Sequence, residues 1–371
     1  MKRFFISTIS LLALSVILIS WGSTGHSKIS EAAALSFNEQ MQGFQAWVGF
    51  IRDHASDADY RKATDPTEGP KHYIDIDNYP EFLATGRIPQ TFDSVINIHG
   101  STFVFDNGIL PWATLASFDS LRNCLQRSDF ENAQIFAADL GHYVADGHMP
   151  MHVTRNYNGQ FTGNTGIHSR YESTMINAFI SQFNYSGSNA IEITNVEQYI
   201  FDYLYLNNTF CDSILAADNY AKSLSSNYSS SIYKNALWDK SKSFTIPLFE
   251  RASHALANLI FTAWVQAGSP SLSAAGVNDP LSVSNSVLEQ NSPNPFRSTT
   301  HFVYTVKETS RVFLHVRDMN GDVLDTIVDG TLPAGKYSGD WEATSHPAGI
   351  YYLVLNTGKF VHVKKMVFLG D

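Results

Sequence analysis

Cysteine is almost absent from this chain. Cys124 and Cys211 are the only two in 371 residues, and no Cys-x-x-Cys pair exists. A disulfide framework and a thiolate-built structural zinc site are therefore both excluded. The two thiols either form a single pair or stay buried and free. Basic residues are also few: 25 Lys and Arg against 35 Asp and Glu leave a net charge of −10. That balance excludes a protein that grips nucleic acid through a broad basic surface. A polyanionic ligand would have to be received locally, for example by bound cations. Long apolar runs are missing beyond the first twenty residues, so no later segment is suited to span a bilayer.

The first segment is the exception. Lys2 and Arg3 precede a run from Phe4 to Ser20 whose only polar groups are serine and threonine. This is the layout of a secretory signal peptide, residues 1–20, with cleavage after the small Ser20; an uncleaved membrane anchor is the alternative. The rest is long enough for two domains, and a 44% hydrophobic content can build a sizeable core. From Trp21 to Gly268 the pattern is helical, as in Phe136, Leu140 and Tyr143 or Leu248, Ala252, Leu256, Leu259 and Ala263. Residues 269–287, rich in Ser, Pro and Gly, read as a linker. Thereafter the period becomes two: Phe302, Tyr304 and Val306 alternate, as do Val312, Leu314 and Val316, and "MNGD" supplies an Asn-Gly turn. The expected architecture is a mostly α catalytic domain, 21–268, followed by a small C-terminal all-β sandwich, 288–371.

Histidines and carboxylates cluster in the helical part. In "GHYVADGHMPMH", His142 and Asp146 stand four residues apart, on one helix face, where both can reach a single cation. Pro150 should end the helix near Met149 and let His152 turn back toward the same pocket, while His148 falls on another face and is expected in solvent. A second four-residue pair, His168 and Glu172, lies in "GIHSRYES", and upstream stand Asp57, Asp59, His72 and Asp75. Imidazole and carboxylate without thiolate suit zinc used for hydrolysis. If cleavage follows Ser20, the new amine and carbonyl of Trp21 can chelate a metal with His26 beside them; the alternative is that Trp21 is a core aromatic.

The ordered motifs "WGSTGH", "KHYIDID", "HYVADGHMPMH" and "IHSRYE" resemble the superfamily of single-strand-specific nucleases and bacterial zinc-dependent phospholipases C. The resemblance implies three zinc ions in a phospholipase C / single-strand nuclease fold. One would be held by His72, His142, Asp146 and either Asp57 or Asp59. A second would take the amine and carbonyl of Trp21, His26 and the bridging Asp146, and the third His152, His168 and Glu172. Asp146, with Asp57 or Asp59, would be the catalytic carboxylates, and Tyr73 and Asp75 would contact a bound base.

The implied chemistry is phosphodiester hydrolysis by metal-activated water. The short spacing in "WGSTGH" resembles the nuclease branch, whereas "MPMH" and "HSRYE" look more like the phospholipase branch. The reading leans to single-stranded nucleic acid, with phospholipid head groups as the alternative and a zinc-binding surface protein without turnover as the third. The tail, from "LEQNSPNPFRSTT" to "VKKMVFL", is similar to a type IX secretion sorting domain. It implies a partner in the secretion machinery and a secreted or cell-surface location; a monomer is expected. One outcome follows from the role given to Trp21. An uncleaved extension before Trp21 should lower activity and zinc content below those of protein starting at Trp21, because an amide nitrogen cannot replace the amine; equal zinc content by elemental analysis would refute that role.

Overall fold

The computed structural model describes residues 22–62, 65–272, 287–307, 309–318, 323–357 and 361–370. The expected signal peptide, Trp21, most of the expected linker and the Asn320–Gly321 turn lie outside the described residues. The chain divides after Leu272 into two compact units. Residues 269–272 of the expected linker belong to the first unit: the carbonyl of Pro270 accepts from Trp264 Nε1 at 2.9 Å, and Leu272 packs on the helical core.

The first unit is helical. Its α-helices among the described residues are α1 (Gly22–Ala32), α2 (Val48–Asp53), α3 (Asp57–Arg61), α4 (Pro80–Thr85), α5 (Phe92–His99), α6 (Ser101–Asp106), α7 (Leu110–Gln126), α8 (Phe130–Gly147), α9 (Ile167–Ser169), α10 (Ile176–Phe179), α11 (Val196–Asn208), α12 (Cys211–Leu224) and α13 (Ser231–Gln266). The central one for function is α8. Ala133, Ala137, Leu140 and Val144 recur at helical spacing and sink into one apolar cluster with Phe118 and Leu121 of α7 and Leu256 and Ile260 of α13. Burying each large aliphatic side chain is worth about 1.5–3 kcal/mol. This packing fixes the rotation of α8 and turns His142 and Asp146 toward the centre of the unit.

The end of α8 sets the next part of the site. The helix stops at Gly147, two residues before the expected point, and Met149 is extended (φ −92°, ψ 105°) ahead of Pro150. A 3-10 turn, Pro150–His152, then brings His152 under His72, whose carbonyl accepts from His152 Nδ1 at 2.6 Å. His148 is not in solvent: it is 1% exposed, its ring centroid stands 4.4 Å from that of Tyr203 on α11, and Nδ1 contacts the Val144 carbonyl at 2.7 Å. The face that looks free on an isolated α8 is covered by α11, and burial lowers the His148 pKa to about 4. Both cysteines are buried and free.

The second unit is all β. Its strands are β1 (Val287–Leu288), β2 (Thr299–Val306), β3 (Ser310–Arg317), β4 (Val323–Leu332), β5 (Gly335–Glu342), β6 (Gly349–Asn356) and β7 (Val361–Phe368). They pair antiparallel in two sheets, β1-β2-β5 and β4-β3-β6-β7. Phe302, Tyr304 and Val306 from one sheet meet Val312, Leu314, Val316 and Leu353 from the other in a single core. No helix among the described residues is long and apolar enough to cross a membrane.

Residues 73–75 run between two 3-10 turns as a segment tied at several points. Ile74 donates to the His152 carbonyl at 2.8 Å, Asp75 to Asn107 at 2.7 Å, and Leu110 donates to the Tyr73 carbonyl at 3.2 Å. Gly108 makes that approach possible: its φ is +83°, and a Cβ there would stand 2.1 Å from the Tyr73 oxygen. Gly108→Ala is expected to destabilise the unit by about 2 kcal/mol or more, read as the shift of the urea unfolding midpoint; an unchanged midpoint would show that the segment yields freely.

Candidate metal centre

Three groups of buried side chains have ligand atoms that lie within 4.8 Å of one another: His26, His142 and Asp146; Asp59, His72 and His142; and His152, His168 and Glu172. They come from α1, α3, the segment before α4, α8, the turn after it, and the run from α9 onward. Asp146 stands at the centre and is fully buried. Its Oδ2 is 3.0 Å from His72 Nδ1 and 3.2 Å from His142 Nε2, and its Oδ1 is 3.5 Å from both His26 Nε2 and His152 Nδ1. In the third group, Glu172 Oε2 lies 3.1 Å from His168 Nε2 and 3.4 Å from His152 Nε2.

These spacings and donors fit zinc. Four ligands held tetrahedrally at about 2.0–2.1 Å from one ion stand about 3.3 Å apart. The separations around His72 and His142 run from 2.9 Å between the two imidazoles to 3.7 Å between His142 Nε2 and Asp59 Oδ1. Asp59 Oδ1 pairs with Lys62 Nζ at 2.7 Å, while the buried Oδ2 accepts no hydrogen bond and is left to face a cation. The donor set of histidine and carboxylate, with no sulfur, suits zinc.

Backbone carbonyls orient the rings. His142 Nδ1 contacts the Ala55 carbonyl at 2.7 Å, His152 Nδ1 that of His72 at 2.6 Å, and His168 Nδ1 that of Tyr157 at 3.2 Å. A carbonyl only accepts, so each Nδ1 carries the proton and each Nε2 offers its lone pair to the group. His72 is reversed: Nδ1 faces Asp146, and Nε2 lies 3.4 Å from Glu68 Oε1. Glu68, 1% exposed, is in turn gripped by Tyr143 and by Lys71 Nζ at 2.8 Å. Sequence reading passed over Glu68, although its four-residue spacing to His72 was a usable signal.

Electrostatics ties the groups together. Burial alone would lift the Asp146 carboxyl, but His142 and His152 hold it well below the usual carboxylate range. Against its own burial, His142 is raised to about 9 by Asp146 and Asp59. His26, stacked on His142 with centroids 4.0 Å apart, is lowered to about 3 by burial and by His142. Metal and protons therefore compete for the same atoms.

The other expected residues fall as follows. Asp57 lies outside all three groups; its half-exposed carboxylate sits 2.6 Å from His54 Nδ1. Residues two apart on α3 point to opposite sides, so Asp59 turns inward and Asp57 outward. Tyr73 is half-buried, and its hydroxyl donates to the Asp106 carbonyl at 3.3 Å. The Asp75 carboxyl is pushed up to about 7 by burial and by Asp77. Gly22, the first described residue, approaches Ser173 next to Glu172, and Trp21 lies outside the described residues.

Asp146→Ala is expected to remove the carboxylate common to the first cluster and lower zinc by at least one ion per chain, whereas Asp57→Ala leaves zinc unchanged. Elemental analysis of both variants decides it, and an Asp146→Ala protein with full zinc content would contradict the geometry.

No protein-family model matches the chain, and no curated protein matches it. Among solved structures, the chain is similar to the alpha toxin from Clostridium absonum, at 10% identity and a TM-score of 0.42, over 94% of this chain and 95% of that one. It is similar also to the alpha-toxin of an avian strain of Clostridium perfringens, at 9% identity and a TM-score of 0.41, over 94% of this chain and 98% of that one.

Proposed function

We propose that the helical unit is a zinc-dependent phosphodiester hydrolase. The observation that carries this reading is the set of three buried histidine–carboxylate groups gathered around Asp146 and Glu172. Asp59, His72, His142 and Asp146 would hold one zinc, His26 and Asp146 a second together with Trp21, and His152, His168 and Glu172 the third. Bound there, zinc supplies Lewis acidity that makes water a nucleophile near neutral pH and offsets phosphate charge. The chain's own part is to set Asp146 among four imidazoles, to hold those of His142, His152 and His168 in one tautomer by a carbonyl, and to place Glu68 beside that of His72. In a protein of net charge −10, this is also where an anionic diester finds positive charge.

Of the two substrate classes, phospholipid gains support from the rim. Tyr157, whose carbonyl orients His168, is 37% exposed and offers apolar surface beside the third group, and Phe161 on the same loop is 69% exposed. Tyr73, which the sequence reading gave to a stacked base, has its hydroxyl engaged by Asp106 and its ring edge against Gly108. Nucleic acid remains the second reading, favoured by the half-buried ring of Tyr73 next to His72. The proposal extends to export of the chain and to a sorting role for the β unit, both supported by sequence motifs.

The test offers zinc-loaded protein starting at Trp21 to phospholipid micelles and to single-stranded oligonucleotides in parallel. Release of phosphorylated head group that stops with a chelator is expected. Cleavage of the oligonucleotide alone would move the substrate to nucleic acid, and no turnover of either by zinc-replete protein would contradict the hydrolase reading.

A further inference from the structure

Between the third group's ligands, two residues after His168 and two before Glu172, stands an arginine. Arg170 is 8% exposed, and its guanidinium is fully engaged. Nη2 donates to both oxygens of Asp218 on α12, at 3.0 and 2.9 Å, and to the Asn164 carbonyl at 3.1 Å. Nη1 donates to the Thr165 carbonyl at 2.8 Å, and Nε to the Tyr233 hydroxyl on α13 at 2.7 Å. The Tyr228 ring covers the guanidinium, 4.4 Å from its carbon. Asp218 is fully buried and also accepts from Asn164 Nδ2 at 2.7 Å and from the Tyr233 hydroxyl.

This network does more than fill space. A buried ion pair adds little stability compared with apolar residues of the same volume, but it fixes geometry, because few arrangements satisfy every donor. Here the geometry fixed is that of a weak piece of backbone. Ile167–Ser169 is a single α-turn, and Arg170–Met175 is π-helical, so the ladder itself sets the relation of His168 to Glu172 poorly. Gly166 (φ +89°) leaves room for the guanidinium, since a Cβ there would stand 2.7 Å from Arg170 Nη1. The two ends of the segment, Asn164 and Arg170, thus converge on one carboxylate, and the ligands ride between and beside them.

We infer that Arg170 and Asp218 are positioning residues, which pre-set His168 and Glu172 for the third metal by clamping residues 164–172 onto α12 and α13. The inference rests on the metal-site reading above. It predicts a local effect: loss of the clamp weakens one metal position and spares the two around Asp146. Loss of an orienting partner behind a metal ligand typically lowers affinity about 10–100-fold.

The experiment dialyses zinc-loaded protein against graded chelator and counts zinc per chain for the wild type, Asp218→Asn, Tyr233→Phe and Val95→Ala. Val95→Ala opens a cavity in the cluster that buries α5 and reports destabilisation by another cause. In Asp218→Asn, one zinc should leave at about 10–100-fold lower chelator while two stay, with helical circular dichroism unchanged. Tyr233→Phe should shift the same zinc by a smaller factor, and it decides the matter if Asp218→Asn does not fold. Val95→Ala should release zinc as the wild type does. Release of all three ions together, or wild-type release from the clamp variants, overturns the inference. A wild type that binds no zinc overturns the site reading itself, and the inference with it.

Discussion

A fully buried carboxylate surrounded by four imidazoles is the constraint on which the helical unit depends. Asp146 has nitrogen atoms of His26, His72, His142 and His152 within 3.5 Å and no exposure to water. Taking a carboxylate out of water is costly unless positive charge accompanies it. Without metal, that charge comes from protons, which is why His142 is raised to about 9. Zinc at the same atoms would displace those protons and supply more charge in less space.

The fold can be read as the means of assembling this arrangement from distant parts of the chain. The apolar face of α8 fixes the rotation of Asp146 and His142, α1 delivers His26, and the turn at Pro150 returns His152. The segment from His72 to Asp75 is held by backbone bonds to residues 107–110 and to His152. Backbone carbonyls set which nitrogen of His142, His152 and His168 faces the ligand groups, and the Glu68 carboxylate stands beside His72. The third group is secured differently, by an ion pair behind its backbone.

Sequence spacing made part of this legible. Four-residue separations put His142 with Asp146 and His168 with Glu172, and in the structure each pair does converge, at 3.2 and 3.1 Å. Alternation in 302–306 and 312–316 gave the inward faces of the β unit, because a strand's period is insensitive to its neighbours. What stayed hidden was whatever depends on a partner far along the chain. His148 is a solvent residue only on an isolated helix; α11, some fifty residues later, covers it. Asp57 and Asp59 are equivalent in composition, and only the orientation of α3 separates them. Arg170 meets its partner, Asp218, only across 48 residues of chain. The π-helical turn at Arg170–Met175 has no period that a sequence scan would seek.

The central claim is that three ions sit at three defined sets of side chains. X-ray diffraction from crystals of the zinc-loaded protein, recorded on both sides of the zinc absorption edge, tests it most directly. The account predicts three anomalous peaks per chain. One should lie among Asp59, His72, His142 and Asp146, one beside His26 and Asp146, and one among His152, His168 and Glu172. A map with no peak within coordinating distance of Asp146 would contradict it.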